Sequence, residues 1–397
     1  MVKNNSALVV GAGISGSSIA YHLNKKGWDV TIVDQAKESS LSIYANPAVC
    51  VNPNVMISDQ RFNRLMCSSI SYVWKLINLI GLDESSASQV GSIHLFEHKE
   101  GIDRFTRLIK NNPGLKSFIT LIDQNQIREN YNIKGCVGFY FNSGGWINPE
   151  DFCRTLVSET NIRKEFGSKV TEVECKEDVW HIKTNDKKEF KAKNIVFCSA
   201  GDIANYAYFS HLDFDQYRGQ IDWVNSETKQ KLEILSNNGY VIPSVKKKTV
   251  VGSSYEKNNC SYEASDADTK SNLNKLNALL PSLNNNLLSR SNGSWVGQRA
   301  ASFDRKPYVG RVLDMGGKSR LANKIDRSSL VWKKGLYINA CYGSRGFSFA
   351  PLSSLSLANL MDQSLNSDDK FLLGYLNPER RFFRGMGLKK QGIEFKL

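Results

Sequence analysis

The sequence predicts an α/β fold: a Rossmann-like nucleotide-binding domain interrupted by a β-rich α+β domain. Three observations predict it. The chain opens on Ala7-Leu-Val-Val-Gly11-Ala-Gly13-Ile-Ser-Gly16, an apolar run that enters a glycine turn and then a helical pattern. Near its end it repeats that grammar in Gly335-Leu-Tyr-Ile-Asn-Ala-Cys-Tyr-Gly343-Ser344-Arg345-Gly346-Phe347. Between these two segments, short alternating apolar runs dominate, the pattern of half-buried strands.

Taken in order, residues 6–11 form a β-branched strand, and Ile14, Ile19, Ala20 and Leu23 recur at helical spacing over 14–26. Gly27 closes that helix, and Trp28–Val33 reads as a second strand ending at Asp34. Residues 60–80 predict a helix; 86–150 predict short strands and turns; 150–165 predict another helix. Lys169–Val173 and Trp180–Lys183 alternate as a hairpin would, and Asn194–Gly201 is a buried strand ending in small residues. Residues 216–300 alternate again around a polar helical stretch near 264–290, and 351–365 extend the last helix. The nucleotide domain is thus expected from 1–45, 150–215 and 295–397, and the β-rich substrate domain from 46–149 and 216–294.

Composition narrows the class. With 397 residues and 41% hydrophobic content there is ample core, yet no stretch approaches eighteen apolar residues, so no membrane span is expected. The start, Met1-Val-Lys-Asn-Asn-Ser6, lacks a signal-peptide core, and the eight cysteines form no C-x-x-C pair. Reduced thiols in a cytoplasmic protein follow; neither these cysteines nor the five histidines show metal-ligand spacing. The formal net charge of +13 raises attraction to polyanions such as RNA, but taken alone it points first to the plainer reading, a basic solvated surface. Part of the excess is local: residues 305–334 carry nine basic and two acidic side chains, and 377–397 six and two.

The opening motif carries specific chemistry. Gly11 permits the tight turn after the strand, Gly13 lets backbone approach a pyrophosphate, and Gly16 lets helix and strand pack closely. The helix N-terminus offers N–H groups and a positive dipole end to phosphates. Asp34, eighteen residues beyond Gly16, sits where a carboxylate accepts ribose hydroxyls, which favours FAD or NAD over NADP. The strand ending at Gly201 and the Gly343–Gly346 turn bring distant segments back to one cofactor, which selects FAD. There the helix N-terminus at Gly346 is placed to stabilise charge on a reduced flavin ring.

Five further segments carry a family resemblance: Gly144-Gly-Trp-Ile-Asn-Pro149, Gly252-Ser-Ser-Tyr255-Glu256, Arg299-Ala-Ala-Ser-Phe-Asp304-Arg-Lys-Pro307-Tyr-Val-Gly310, Gly343-Ser-Arg-Gly346 with Ala350-Pro351, and Leu376-Asn-Pro-Glu-Arg380. With them the chain resembles, over nearly its whole length, the D-amino-acid-oxidase-like family of FAD oxidoreductases. Within that family it is similar to the FAD domain of the bifunctional enzymes of tRNA 5-methylaminomethyl-2-thiouridine biosynthesis. The resemblance implies non-covalent FAD, because the flavin-linking cysteine of sarcosine oxidases has no counterpart in the Arg299–Asp304 stretch. It implies a tRNA substrate and removal of the carboxymethyl group from 5-carboxymethylaminomethyluridine. It also implies cofactor contacts at Asn46, at the backbone of Val170, and at Gly201, Gly343, Ser344, Gly346 and Phe347, and catalytic roles for Arg299, Arg345 and Tyr255.

Each catalytic assignment has a rival. Arg299 is equally suited to a structural pair with Asp304, Arg345 to the flavin edge or an RNA phosphate, and Tyr255 to packing. Arg305, Lys306 and the tail cations suit phosphates or plain solvated surface. The segment Tyr44-Ala45-Asn46-Pro-Ala-Val49 keeps the family asparagine but replaces two expected glycines by Ala45 and Val49. Because the chain starts directly at the flavin domain, a separate methyltransferase is expected to supply the methylation step. Two other functions remain open at this level: a glycine- or sarcosine-type amine oxidase, and a catalytically silent flavin-containing tRNA-binding protein.

Overall fold

The computed structural model describes residues 3–37, 45–158, 161–226, 232–281, 283, 291–314 and 331–385. The end of the polar helical stretch, most of the basic run 305–334 and the tail from 386 lie outside the described residues. The chain divides into two compact units. The first comprises Met1–Tyr44, Cys153–Gln216 and Arg299–Leu397; the second comprises Ala45–Phe152 and Tyr217–Gln298.

The first unit is built on a six-stranded sheet in the order Tyr308–Leu313, Trp332–Ala340, Asn194–Phe197, Ser6–Val10, Asp29–Asp34 and Ile162–Phe166. All pairs are parallel except the first, Tyr308–Leu313 against Trp332–Ala340. The opening strand has Asp29–Asp34 on one side and Asn194–Phe197 on the other, so the strand order reverses there. In an open parallel sheet, ligands bind outside the carboxyl ends of the strands at such a switch point. The strand Ser6–Val10 is buried along its whole length, which parallel pairing on both sides requires. The helices Ile14–Lys25 and Gly346–Met361 pack against each other, the first burying Ile19, Ala20 and Leu23 completely. An antiparallel sheet of Val170–Lys176, Val179–Thr184 and Glu189–Ala192 adds Trp180, Ile182 and Phe190 to a core shared with Leu8, Val10, Phe197 and Ile338.

The second unit carries a nine-stranded sheet in which Ile234–Ser236 runs parallel to Ser92–Glu97 and the other neighbours along its main path are antiparallel. A smaller sheet joins Val49–Val51, Gly145–Ile147 and Ala87–Ser88. The Gly144-Gly145-Trp146 segment is a packing centre. A Cβ on Gly144 would lie 2.2 Å from Ser92 Oγ, one on Gly145 2.3 Å from the Ser88 carbonyl, and Trp146 is buried beside Ala48 and Ile221.

Three sequence expectations are corrected. Residues 86–150 contain two helices, His98–Asn111 and Gln124–Tyr131, besides strands. The first carries Ile102, Phe105, Leu108 and Ile109 at helical spacing, with Phe105 and Ile109 packed beside buried Leu108, an amphipathic face that the expectation of strands and turns overlooked. The second announced itself through a capping box, Asp123 with Gln126. The helix expected over 150–165 ends at Leu156, and Ile162–Phe166 is an edge strand whose polar residues mask its period. The helix expected to run through 365 ends at Met361, and two further helices follow it, Ser367–Leu376 and Arg380–Gly385. No helix among the described residues is long and apolar enough to cross a membrane, and no group of metal-ligating side chains occurs among them.

Candidate active site

At the carboxyl end of the opening strand, Gly11 takes φ +102°, a conformation that only glycine adopts without strain. A Cβ there would come within 2.9 Å of the Cys198 carbonyl group, so the turn after Asn194–Phe197 passes directly over it. A Cβ on Gly16 would lie 1.8 Å from the Gly11 carbonyl oxygen; this glycine closes helix onto strand. Gly13 differs from both, because a Cβ there would meet nothing within 4 Å. It faces open space at the helix start, and its N-cap position has no side-chain hydrogen bond. The first N–H groups of the helix are thereby left to an incoming acceptor.

Asp34 ends the second strand. Its carboxylate accepts from Ala12 N at 2.7 Å and from Ala36 N at 2.8 Å, which ties it to the glycine turn. Burial raises its pKa; the two N–H donors oppose that rise and neighbouring Asp202 adds to it. Each carboxylate oxygen retains a second lone pair for a ligand hydroxyl. Gln35 donates to Asp202 at 3.0 Å, which holds this second carboxylate nearby. Ser168 N donates to Asp34 O at 2.9 Å, bringing the start of the Val170 strand to the same place; Val170 itself is 7% exposed. Gly201 lies in the helical turn Ala200–Asn205 just past Cys198.

The C-terminal glycine turn reaches the same rim. Gly343 has φ +57°, and its N–H donates to Ala300 O at 2.8 Å. That bond joins the turn to the residue after Arg299. Ser344 is exposed, Arg345 is the N-cap of the helix Gly346–Met361 without a side-chain cap bond, and Phe347 is buried. A Cβ on Gly346 would lie 3.1 Å from Ile14 Cγ2, so the N-termini of the two helices are neighbours. A fully buried Asn339 locks them together. Its Nδ2 donates to Ser354 Oγ at 2.9 Å and to Ser15 O at 3.3 Å, while its Oδ1 accepts from Tyr342 Oη at 2.5 Å. Sequence reasoning missed Asn339, whose signal was an amide inside an otherwise apolar strand.

Asn46 and Tyr255 belong to the second unit. Asn46 is buried and its Oδ1 accepts from Ala48 N at 3.1 Å, while Val49, at an expected glycine, pairs with Ile147 as a strand residue. Tyr255 is 46% exposed and stacks on Tyr217 with ring centroids 4.4 Å apart.

Two of the sequence segments singled out above turn out to be one clamp. Arg380 is 4% exposed and grips Asp304 in bidentate fashion, Nε to Oδ2 at 3.1 Å and Nη2 to Oδ1 at 2.6 Å. It also donates to Ser302 Oγ, Lys306 O, Pro307 O and Asn377 O. Burial works against the ionised Asp304, yet the bonds and charge of Arg380 hold its carboxyl below the usual range. Arg380 is therefore neither a phosphate grip nor solvated surface. Glu379, also buried, accepts from His211 at 2.8 Å and from Leu313 N at 3.1 Å.

The profile of the FAD-dependent oxidoreductase (DAO) family matches residues 6–360. The chain belongs to that family. It is 26% identical over 398 residues to the tRNA 5-methylaminomethyl-2-thiouridine biosynthesis bifunctional protein MnmC of Methylobacillus flagellatus, an alignment covering 98% of this chain and 61% of that protein. Among solved structures it is similar to L-proline dehydrogenase from P. horikoshii, with a TM-score of 0.78, 18% identity, and coverage of 97% and 99%. It is likewise similar to glycine oxidase from Geobacillus kaustophilus, with a TM-score of 0.77, 17% identity, and coverage of 94% and 98%. The family makes FAD the cofactor, and the first unit fits it. Gly13 leaves room for a pyrophosphate at an uncapped helix start, Asp34 offers a carboxylate beside it, and a second uncapped helix start adjoins the first.

Proposed function

We propose that this protein is an FAD-dependent oxidase that removes the carboxymethyl group from 5-carboxymethylaminomethyluridine at the tRNA wobble position. The products are 5-aminomethyluridine and glyoxylate. One observation carries the reading: Gly343 N bonds Ala300 O, so Arg299 and Arg345 sit on adjoining segments at the rim where the two helix starts meet. A glycine-like carboxylate calls for guanidinium donors, and these two are assigned to it. The name of the relative with which the chain aligns over 98% of its length supports tRNA as the substrate, as does the net charge of +13.

Bound non-covalently, FAD would supply the two-electron acceptor for the hydride. The arginines hold the carboxylate and so present the CH2 between it and the secondary amine. That carbon loses a hydride and the amine nitrogen its proton to water. Water then adds to the C=N bond, which breaks to a primary amine and the aldehyde of glyoxylate. A neutral amine releases hydride unaided, so no catalytic base is assigned. The role of Tyr255 rests on the resemblance alone. The primary amine is the nucleophile that a methyltransferase would consume, and a separate one is the proposed partner in the cytoplasm.

The test is anaerobic mixing of the yellow protein with tRNA carrying the modified uridine, and separately with glycine and sarcosine. Bleaching by the tRNA, with 5-aminomethyluridine in the digest, is expected. Bleaching by a free amino acid and not by tRNA would make the protein a small-molecule amine oxidase. RNA binding without bleaching would make it a silent binding protein.

A further inference from the structure

The turn that Arg380 clamps has an outward side. Phe303 is 39% exposed, on the turn whose Asp304 is paired with buried Arg380. The guanidinium of Arg381 lies 5.1 Å from the ring centroid and that of Arg380 5.6 Å. Lys306 Nζ sits 3.9 Å from the ring centroid of Tyr375, and Arg305 is exposed on the same turn. Four cations (Arg305, Lys306, Arg380, Arg381) thus meet two carboxylates, Asp304 and Asp213, the latter in an ion pair with Arg381. The turn is also rigid. Arg305 is held at φ +59° with its N–H on Ser302 O at 3.0 Å, and its carbonyl accepts from Arg345 at 3.3 Å. The turn therefore both bonds the arginine assigned to the substrate carboxylate and displays an aromatic ring among cations.

We propose that Phe303, with Arg305 and Arg381, is a platform on which an unpaired nucleobase of the substrate RNA stacks while an adjacent phosphate meets the guanidinium groups. Single-stranded bases are recognised through aromatic rings and arginine planes, and their phosphates through cations. A preorganised ring held by a buried clamp loses little conformational freedom on binding. The contact to Arg345 gives the platform its place: a base docked there flanks the nucleotide whose side chain is oxidised. This assignment rests on the tRNA reading above.

The experiment measures binding of the modified tRNA by fluorescence anisotropy across a salt series, with wild type, Phe303→Ala, Phe303→Trp and Arg381→Gln. Phe303→Ala is expected to weaken binding about tenfold, and Phe303→Trp to restore it. Arg381→Gln is expected to reduce the salt slope by about one. FAD content and unfolding temperature, read on every variant, are expected to match wild type. Wild-type affinity in Phe303→Ala, with wild type itself binding tightly, overturns the platform and leaves the tRNA reading standing. Failure of wild type to bind the tRNA overturns both.

Discussion

The glycine-turn rim of the first unit and the polar network under the sheet of the second satisfy their polar groups in opposite ways. In the first, the groups that matter are backbone: the glycine turn, two helix starts left without side-chain caps, and Asp34 accepting from Ala12 and Ala36 within a few residues of its own strand end. In the second, the buried polar groups are side chains gathered from far apart. Fully buried Asp222 accepts from Thr269 at 2.9 Å, Asn272 at 2.8 Å, Ser294 at 2.5 Å and Gln220 at 3.3 Å. Gln220 in turn brackets Ser254, and Arg218 pairs with Asp268. A site for a phosphate-bearing ligand needs unsatisfied N–H groups, which local turns provide; a sheet packed on one helix needs satisfied polar groups, which only tertiary pairing provides.

The sharpest way to break this contrast is at the glycines. Gly16→Val is expected to abolish folding of the first unit, because its Cβ would enter the Gly11 carbonyl, and loss of soluble yellow protein is the readout. Gly13→Ala, at φ −67° and in open space, is expected to keep the unfolding temperature and weaken FAD about 10- to 100-fold, measured by flavin titration. Equal damage from both would mean Gly13 is architectural.

In the second unit, Asp222→Ala removes an acceptor shared by four donors, two of them buried, and a loss of about 3 kcal/mol is expected in urea unfolding followed by tryptophan fluorescence. A change under about 0.5 kcal/mol would show that the network is not what holds the helix Asp266–Leu279 to its sheet. Across the two units, Arg299→Ala is expected to keep FAD and lower kcat/KM about 10- to 100-fold, whereas Tyr255→Phe, which keeps the stack on Tyr217, changes it less. Unchanged turnover in Arg299→Ala removes that residue from the site.

Acid provides a comparison within one protein. Burial pushes His22 of the first unit down to about 3 and His94 of the second down to about 4. Below the ordinary value of 6.5 the unfolded chain takes up protons that the folded chain refuses, so stability falls as pH drops from 6.5 and is flat above it. Each group contributes a loss of about 2 kcal/mol between pH 6.5 and 5, and replacing either by Gln should flatten the acid limb by that amount. An unaltered limb in both variants would place the acid sensitivity elsewhere. The smallest effect is expected at Asp123→Ala, about 1 kcal/mol from the capping box of Gln124–Tyr131.

The sequence by itself determined the nucleotide fingerprint, the family and the cofactor. Gly11, Gly13, Gly16 and Asp34 act through chemistry local to one strand–turn–helix–strand unit, so their spacing already states their roles. The helix His98–Asn111 of the second unit was legible too, in Ile102, Phe105, Leu108 and Ile109 at helical spacing, but it sits between strands whose alternation dominates the segment. Only tertiary structure decided that Asn339 ties the two helix starts together, that Arg380 serves Asp304 rather than a phosphate, and that Arg345 bonds the carbonyl of Arg305 on the clamped turn. Each of those joins residues far apart in the chain. A hydrogen bond between distant segments depends on packing that no periodicity or spacing encodes.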